Sequence, residues 1–305
     1  MSSPSRRDFI RTSAAAAAAG SLAAHADTAP SDATEAHAKR PIRYALKIGM
    51  IQEGDTLLEK FRIARDAGFH GVELDSPGIP PLQDIRDACS DTGLVVPGVV
   101  GSFHWHDQLA HPDSDTRRRG EEALAVALRD CRDVGGTTVL LVPAVVGPDV
   151  AYDEAWDRST AAIQRALPMA EELGVSIAIE NVWNNFLLSP MEARRYVDQF
   201  KSPHVGWYFD VGNIVAYGWP PQWVRILGPR ILKIDVKEYS RSKLDKEGRW
   251  AGFSVPIGEG DCQWKETMAA LDEVGYTGWA SAEVGGGDAA RLKDISSRMD
   301  SVLQS

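Results

Sequence analysis

Glu171-Glu172-Leu173-Gly174-Val175-Ser176-Ile177-Ala178-Ile179-Glu180 is the stretch that decides the fold. A polar helical run closes on a glycine, which takes the left-handed turn after a helix without a Cβ penalty. A short apolar strand follows at once. Its residues alternate, so Val175, Ile177 and Ile179 point one way while Ser176, Ala178 and Glu180 point the other. The strand ends on an acid. Helix, glycine, strand and acid are the parts of a repeating unit, and the rest of the chain can be searched for it.

The unit recurs along the chain. Strands are expected at Leu46–Ile51, Gly71–Asp75, Val95–Val100, Thr138–Val142, Val175–Glu180, Val205–Asp210, Ile231–Val236 and Trp279–Glu283. Helical stretches lie between them at Thr56–Ala67, Pro81–Thr92, Arg117–Val134, Glu154–Leu173, Pro190–Phe200, Trp264–Val274 and Asp288–Leu303. Gly68, Gly93, Gly135, Gly174 and Gly275 stand at helix ends before the next strand. Strands alternating with helices build right-handed parallel units, and eight of them predict a single (β/α)8 TIM barrel. A doubly wound open sheet is the competitor, but no G-x-G-x-x-G follows the first strand and there is no P-loop.

Composition is that of an ordinary globular protein: 305 residues, 44% hydrophobic and 25% charged. The 33 basic against 43 acidic residues leave a net charge of −10, which argues against nucleic-acid and anionic-membrane partners. Outside the N-terminal segment no apolar run reaches the ~18 residues a membrane span needs. The N-terminus reads as an address. Ser5-Arg6-Arg7-Asp8-Phe9-Ile10-Arg11 is followed by an alanine-rich run to Ala24 and a small-x-small site, Ala24-His25-Ala26. Paired arginines resemble the twin-arginine export type. Residues 1–26 are therefore expected to be a signal peptide, 27–40 a polar linker and 41–305 the barrel, with the protein exported to a periplasmic or other extracytoplasmic location. Cys89, Cys131 and Cys262, odd in number and without C-x-x-C, are expected to be free, buried thiols.

In this class of barrel the active site forms at the carboxyl ends of the strands. Strands five to eight finish on Glu180, Asp210, Asp235 and Glu283. Strand parity places Ser281 with Glu283, and Lys233 with Asp235, on the side of Glu180; Leu232, Ile234 and Val236 are expected on the other side, toward the helices. Four carboxylates at one rim repel unless a cation joins them. A divalent metal is the expected cofactor, and oxygen-only ligation favours Mn²⁺ or Mg²⁺.

Glu180-Asn181-Val182-Trp183-Asn184-Asn185-Phe186-Leu187-Leu188-Ser189-Pro190 and Tyr208-Phe209-Asp210-Val211-Gly212-Asn213 resemble the xylose-isomerase-like barrel superfamily, and within it the sugar isomerase and epimerase branch. Pro256-Ile257-Gly258-Glu259-Gly260-Asp261 and Gly275-Tyr276-x-Gly278-Trp279-x-x-x-Glu283 match downstream. The resemblance implies that Glu180, Asp210 and Glu283 are metal ligands and that Glu180 and Glu283 are the acid/base pair. The family's fourth ligand is usually His, in H-x-K-D; here the segment reads Asp235-Val236-Lys237-Glu238. Asp235 is expected to ligate in its place, the alternative being a strand that has lost coordination. Arg241 falls where ketose epimerases carry a sugar-binding Arg, and Asn213 where several carry a His.

The chemistry expected is proton transfer beside a carbonyl. A metal that stabilises the resulting enediolate acidifies the C–H, and one glutamate removes the proton. Return from the opposite face inverts the carbon; one-face transfer shifts the carbonyl. His106 after strand three, Trp183 beside Glu180, and Lys237 are further candidate substrate contacts, and Glu73 is a candidate ion-pair partner. The partner expected is a small sugar, neutral because the chain is exported and acidic. Tyr239–Cys262, carrying Trp250 and Phe253, is expected to form a lid or a homo-oligomer contact. Three other readings compete: a metal-dependent lyase or deglycosidase acting on a 3-keto sugar or glycoside, a non-catalytic carbohydrate-binding barrel, and a DNA-repair endonuclease. The endonuclease needs several metal-binding histidines and a basic groove, and the chain has only seven histidines.

Overall fold

The computed structural model describes residues 39–305. The expected signal peptide and nearly all of the expected linker lie outside these residues. The described chain holds to the barrel from its first residues: Lys39 pairs with Asp300 at 3.0 Å and Arg40 with Asp272 at 2.9 Å.

Eight strands close into an all-parallel barrel in sequence order. They are β1 (Ile42–Lys47), β2 (Gly71–Ser76), β3 (Gly98–Gly101), β4 (Thr138–Leu141), β5 (Ser176–Glu180), β6 (Val205–Asp210), β7 (Ile231–Val236) and β8 (Gly278–Ala282). The helices are α1 (Leu57–Asp66), α2 (Leu82–Thr92), α3 (Ser114–Asp133), α4 (Tyr152–Leu173), α5 (Pro190–Asp198), α6 (Val211–Val215), α7 (Pro220–Leu227), α8 (Arg241–Glu247), α9 (Trp264–Glu273) and α10 (Ala289–Leu303). Local chemistry sets their ends. Thr56 caps α1 in a reciprocal box with Glu59, and Ser189 caps α5 ahead of Pro190. The glycine ending α4, Gly174, takes φ +65° as its position requires.

Two strands sit elsewhere than the sequence suggests. β1 begins four residues before Leu46, because Ile42–Leu46 pairs residue for residue with β8 from Gly278 to Ala282. The chain then turns through a 3-10 stretch at Ile48–Met50, and Ile51 makes only an isolated bridge to Gly287. Lys47, not Ile51, therefore ends the strand. β3 starts at Gly98 rather than Val95, since Pro97 has no N–H for a ladder. Three helices, α6, α7 and α8, lie outside the stretches expected from sequence. The β-branched, glycine-containing Val211–Val215 forms a helix because Asp210 caps it, accepting from the Asn213 N–H at 2.7 Å.

The inward and outward alternation holds on β5: Val175, Ile177 and Ile179 join the large core between strands and helices, whereas Ala178 packs with Leu140 and Tyr208 inside the barrel. On β7 it fails at one residue. Leu232 packs with that inner cluster rather than outward, because the register between β6 and β7 shifts at Trp207/Tyr208. Glycine makes room below the mouth. A Cβ on Gly98 would lie 2.5 Å from the Thr138 carbonyl and 3.1 Å from Lys233 Nζ, so the close approach of β3 to β4 requires glycine at 98, and Lys233 packs against it.

The seventh connection is fastened from beneath by Glu238. The carboxylate is 1% exposed. It accepts from the N–H groups of Gly258 at 2.7 Å and of Tyr239 and Cys262 at 3.2 Å each, and from Trp264 Nε1 at 2.8 Å. We expect Glu238→Ala to strand four donors and cost about 3 kcal/mol of stability. Denaturant unfolding checks this; a loss under ~1 kcal/mol would mean that the loop re-satisfies its donors.

Candidate active site

The mouth at the carboxyl ends of the strands opens on a cavity of about 720 Å³. Its floor is the acidic cluster. Glu180 closes β5, Asp210 closes β6, Asp235 is the penultimate residue of β7, and Glu283 follows β8 while its N–H still bonds the Val236 carbonyl at 3.2 Å. One carboxylate oxygen from each lies within 4.8 Å of one from every other. Oxygens about 2.1–2.4 Å from a shared ion lie at most ~4.8 Å apart, so the span fits a single hard cation. The donor set fits too. Asp210 Oδ2, both oxygens of Asp235 and Glu283 Oε2 are buried yet accept no well-aligned hydrogen bond.

Two lysines sit against the cluster. Lys237 Nζ is 2.8 Å from Asp210 Oδ2 and 3.2 Å from Glu283 Oε2. Lys47 Nζ is 3.0 Å from Asp235 Oδ1 and 2.6 Å from Glu73 Oε2. Glu73 also pairs with the buried Lys233 and accepts from the Tyr208 hydroxyl at 2.8 Å. Four cluster carboxylates and two lysines carry a formal −2, the Glu73–Lys233 pair adding nothing. One divalent ion would neutralise it.

Protonation follows burial and neighbours. Burial pushes the Glu180 carboxyl well above the carboxylate range, and the Glu283 charge adds to this. Asp235 is raised for the same two reasons against a pull from Lys47, and burial raises Asp210 more modestly against Lys237. Glu283 goes the other way: burial raises it, but Lys237 and Lys47 together outweigh that. Glu73 is held low by its two lysines despite full burial. Burial pushes the His104 imidazole down to about 4.

The rim is cross-braced by amides. Asn181 Nδ2 donates to the Asp210 carbonyl at 2.8 Å, and its Oδ1 accepts from Trp207 Nε1 at 2.9 Å. Asn213 Nδ2 donates to the Asn181 carbonyl at 3.0 Å, and Trp183 Nε1 to the Asn213 carbonyl at 2.9 Å. Trp183 packs 4.9 Å from Phe253 and 5.1 Å from Trp250, with the Arg249 guanidinium 4.1 Å over its ring.

Of the residues expected at the site, Glu180, Glu283, Trp183, Asn213 and Lys237 line the cavity, with Asp210 and Asp235 buried beneath it. His106 is exposed and outside the lining, whereas His104 and Trp105 are in it, because a 3-10 turn at Ser102–Trp105 redirects the chain after β3. Arg241 is turned away. Its guanidinium donates to the Val215 and Gly218 carbonyls at 3.0 and 2.7 Å and lies 5.0 Å over Trp219, so it ties down the end of α6. Trp250 and Phe253 form part of the cavity wall, placing the seventh connection at the mouth. Lys47 is the residue that sequence reading missed. The available signal was a lone lysine inside the apolar run Leu46-Lys47-Ile48-Gly49-Met50-Ile51. Cys131 and Cys262 are buried and Cys89 half-buried, all three free.

The twin-arginine translocation signal profile matches residues 3–23, so the chain carries that export sequence. L-ribulose-5-phosphate 3-epimerase UlaE of Salmonella paratyphi C (strain RKS4594) is 27% identical over 272 residues, covering 81% of this chain and 92% of the relative. Among solved structures, L-ribulose 3-epimerase superposes with a TM-score of 0.71 at 17% identity, covering 86% of this chain and 94% of the other. The 3-keto-D-glucoside 4-epimerase YcjR of E. coli gives 0.72 at 15% identity, covering 86% and 98%. The profile of the xylose isomerase-like TIM barrel matches residues 61–301, most of the described barrel, and the chain belongs to that family.

Proposed function

We propose that this protein is a divalent-metal-dependent sugar epimerase or aldose-ketose isomerase that moves a proton beside the carbonyl of a non-phosphorylated keto-sugar. The observation that carries the reading is the pairing of Glu180 and Glu283: both face one cavity, and both contribute to the oxygen cluster with Asp210 and Asp235. Those four would hold Mn²⁺ or Mg²⁺, which when bound supplies stabilisation for negative charge on the substrate's carbonyl oxygen. The chain's own residues do the rest. Glu180 and Glu283 flank the reacting carbon, one to take a proton and the other to return one. Lys237 and Asn213 offer donors to hydroxyls, and Trp183 gives the sugar an apolar wall. At their observed positions His106 lies outside the cavity lining and the Arg241 guanidinium is held by the Val215 and Gly218 carbonyls, so neither supports the reading.

The electrostatics support a substrate without phosphate. Among the lining residues the lysines are Lys47 and Lys237, and both are committed to carboxylates. A phosphate would meet net negative charge and no free guanidinium in the lining. The twin-arginine signal supports action outside the cytoplasm, in the periplasm.

Deuterium incorporation into neutral keto-sugars in D₂O, followed by NMR, tests the reaction. Exchange without fragmentation is expected, as is a higher kcat/KM for the neutral sugar than for its phosphate. Fragmentation of the sugar would replace this reading by elimination. We further expect Glu180→Gln and Glu283→Gln each to lower exchange and kcat by at least ~10²-fold; a near-normal rate in either relieves that residue of its role.

Protons and the cation compete for the same oxygens. Since Glu180 and Asp235 are raised above the carboxylate range, their burial opposes folding once pH climbs past the ordinary carboxylate pKa, and a bound cation relieves that cost. The rise in Tm on adding Mn²⁺ should therefore grow from pH 5 to pH 8. A metal-induced shift independent of pH over that range would place the ion away from these carboxylates.

A further inference from the structure

The charge balance of the site turns on Lys47. Its side chain is 11% exposed and ends β1 at the barrel mouth. Its ammonium lies 3.0 Å from Asp235 Oδ1, 2.6 Å from Glu73 Oε2 and 3.2 Å from the Tyr208 hydroxyl, 4.6 Å over that ring. Glu73 is already neutralised from below by Lys233, and the Tyr208 hydroxyl that donates to it also reaches Ser281 Oγ at 3.1 Å. The charges therefore alternate up the barrel interior: Lys233, Glu73, Lys47, Asp235. The positive charge of Lys47 is left over to face Asp235, a fully buried carboxylate whose two oxygens accept no well-aligned hydrogen bond.

We propose that Lys47 is the built-in counter-ion of Asp235 and sets the centre's selectivity for a doubly over a triply charged cation. Asp235 with Lys47 beside it presents an oxygen ligand without adding net charge, so the cluster stays at −2. Removing the lysine leaves −3, which matches a trivalent ion. Across the few ångströms of a buried contact, one unit of charge moves the affinity ratio of ions differing by one charge by a factor of ~10 or more. The inference rests on the reading of the four carboxylates as a cation site.

The test is ion binding, with no turnover involved. Mn²⁺ affinity is measured by electron paramagnetic resonance, and Tb³⁺ affinity by luminescence sensitised from the site's tryptophans. Four proteins are compared: wild type, Lys47→Met, Asp235→Asn and the double variant. Lys47→Met should raise the Tb³⁺/Mn²⁺ affinity ratio at least ~10-fold and Asp235→Asn should lower it. The double variant, again at −2, should return to within ~3-fold of wild type. An unchanged ratio in a folded Lys47→Met protein overturns the proposal, and so does equal loss of both ions there. If Lys47→Met does not fold alone, the step from Asp235→Asn to the double variant must show the same rise, and its absence is equally fatal. A wild type that binds neither ion overturns the cation site itself, a different failure from a wild type that binds Mn²⁺ with a ratio indifferent to residue 47.

Discussion

Gathering four carboxylates in a buried barrel mouth is the constraint on which the rest of this structure depends. Each buried charge loses hydration worth several kcal/mol, and each repels the others. The protein answers with interior cations. Lys237 spans Asp210 and Glu283, Lys47 faces Asp235, and Lys233 absorbs the charge of Glu73 one layer down. The inner barrel is correspondingly unlike the aliphatic filling usual for this architecture. A lysine, a glutamate and a tyrosine share it with Leu140 and Ala178, the lysine ending beside Gly98.

Holding that arrangement needs rigid walls. Asn181 and Asn213 clamp β5 to β6 through backbone carbonyls, so the two strands deliver Glu180 and Asp210 at a set spacing. Asp210 is used twice, as a cluster oxygen and as the cap of α6, which ties the helix start to the site. Across the mouth, Glu238 gathers the return of the seventh connection, and Tyr239 lies against Gly252, where a Cβ would fall 2.3 Å from its ring. The outermost aromatic is Trp250, 72% exposed, while Trp183 behind it is braced by Phe253 and Arg249. A wall of this kind restricts the site by shape, while the few polar groups at its base set orientation.

The family match and the geometry bear on different questions. The family resemblance of the motifs implies roles for the glutamate pair and for Asp210. It does not account for Asp235, where a carboxylate stands in place of the imidazole that the family resemblance implies. The charge that offsets it, Lys47, lies nearly two hundred residues earlier, at the end of β1. A buried carboxylate with a buried lysine beside it carries the same local charge as one neutral ligand, and that balance is visible only when both are seen side by side.

How much was legible follows from the range of each signal. The hydrophobic period, the helix-end glycines and the recurrence of one unit are local, and they were enough to determine eight strands, their order, the barrel and the four acids at one rim. The export signal is equally local, a matter of composition and paired arginines. Strand ends were less secure: β1 was displaced toward the N-terminus because pairing with β8, far away in sequence, outweighed the apolar run that follows it. The same limit explains Leu232, turned inward by a register shift against β6, and Arg241, whose guanidinium is engaged by carbonyls at the end of α6. Which acids bear protons, which lysine answers which carboxylate, and which of His104 and His106 reaches the cavity were decided by tertiary structure alone. The histidines are sorted by the turn after β3, and the rest depends on burial and on distances of 2.6 to 3.2 Å between residues at the ends of different strands; charge interactions at that range carry no signature in the order of residues along the chain.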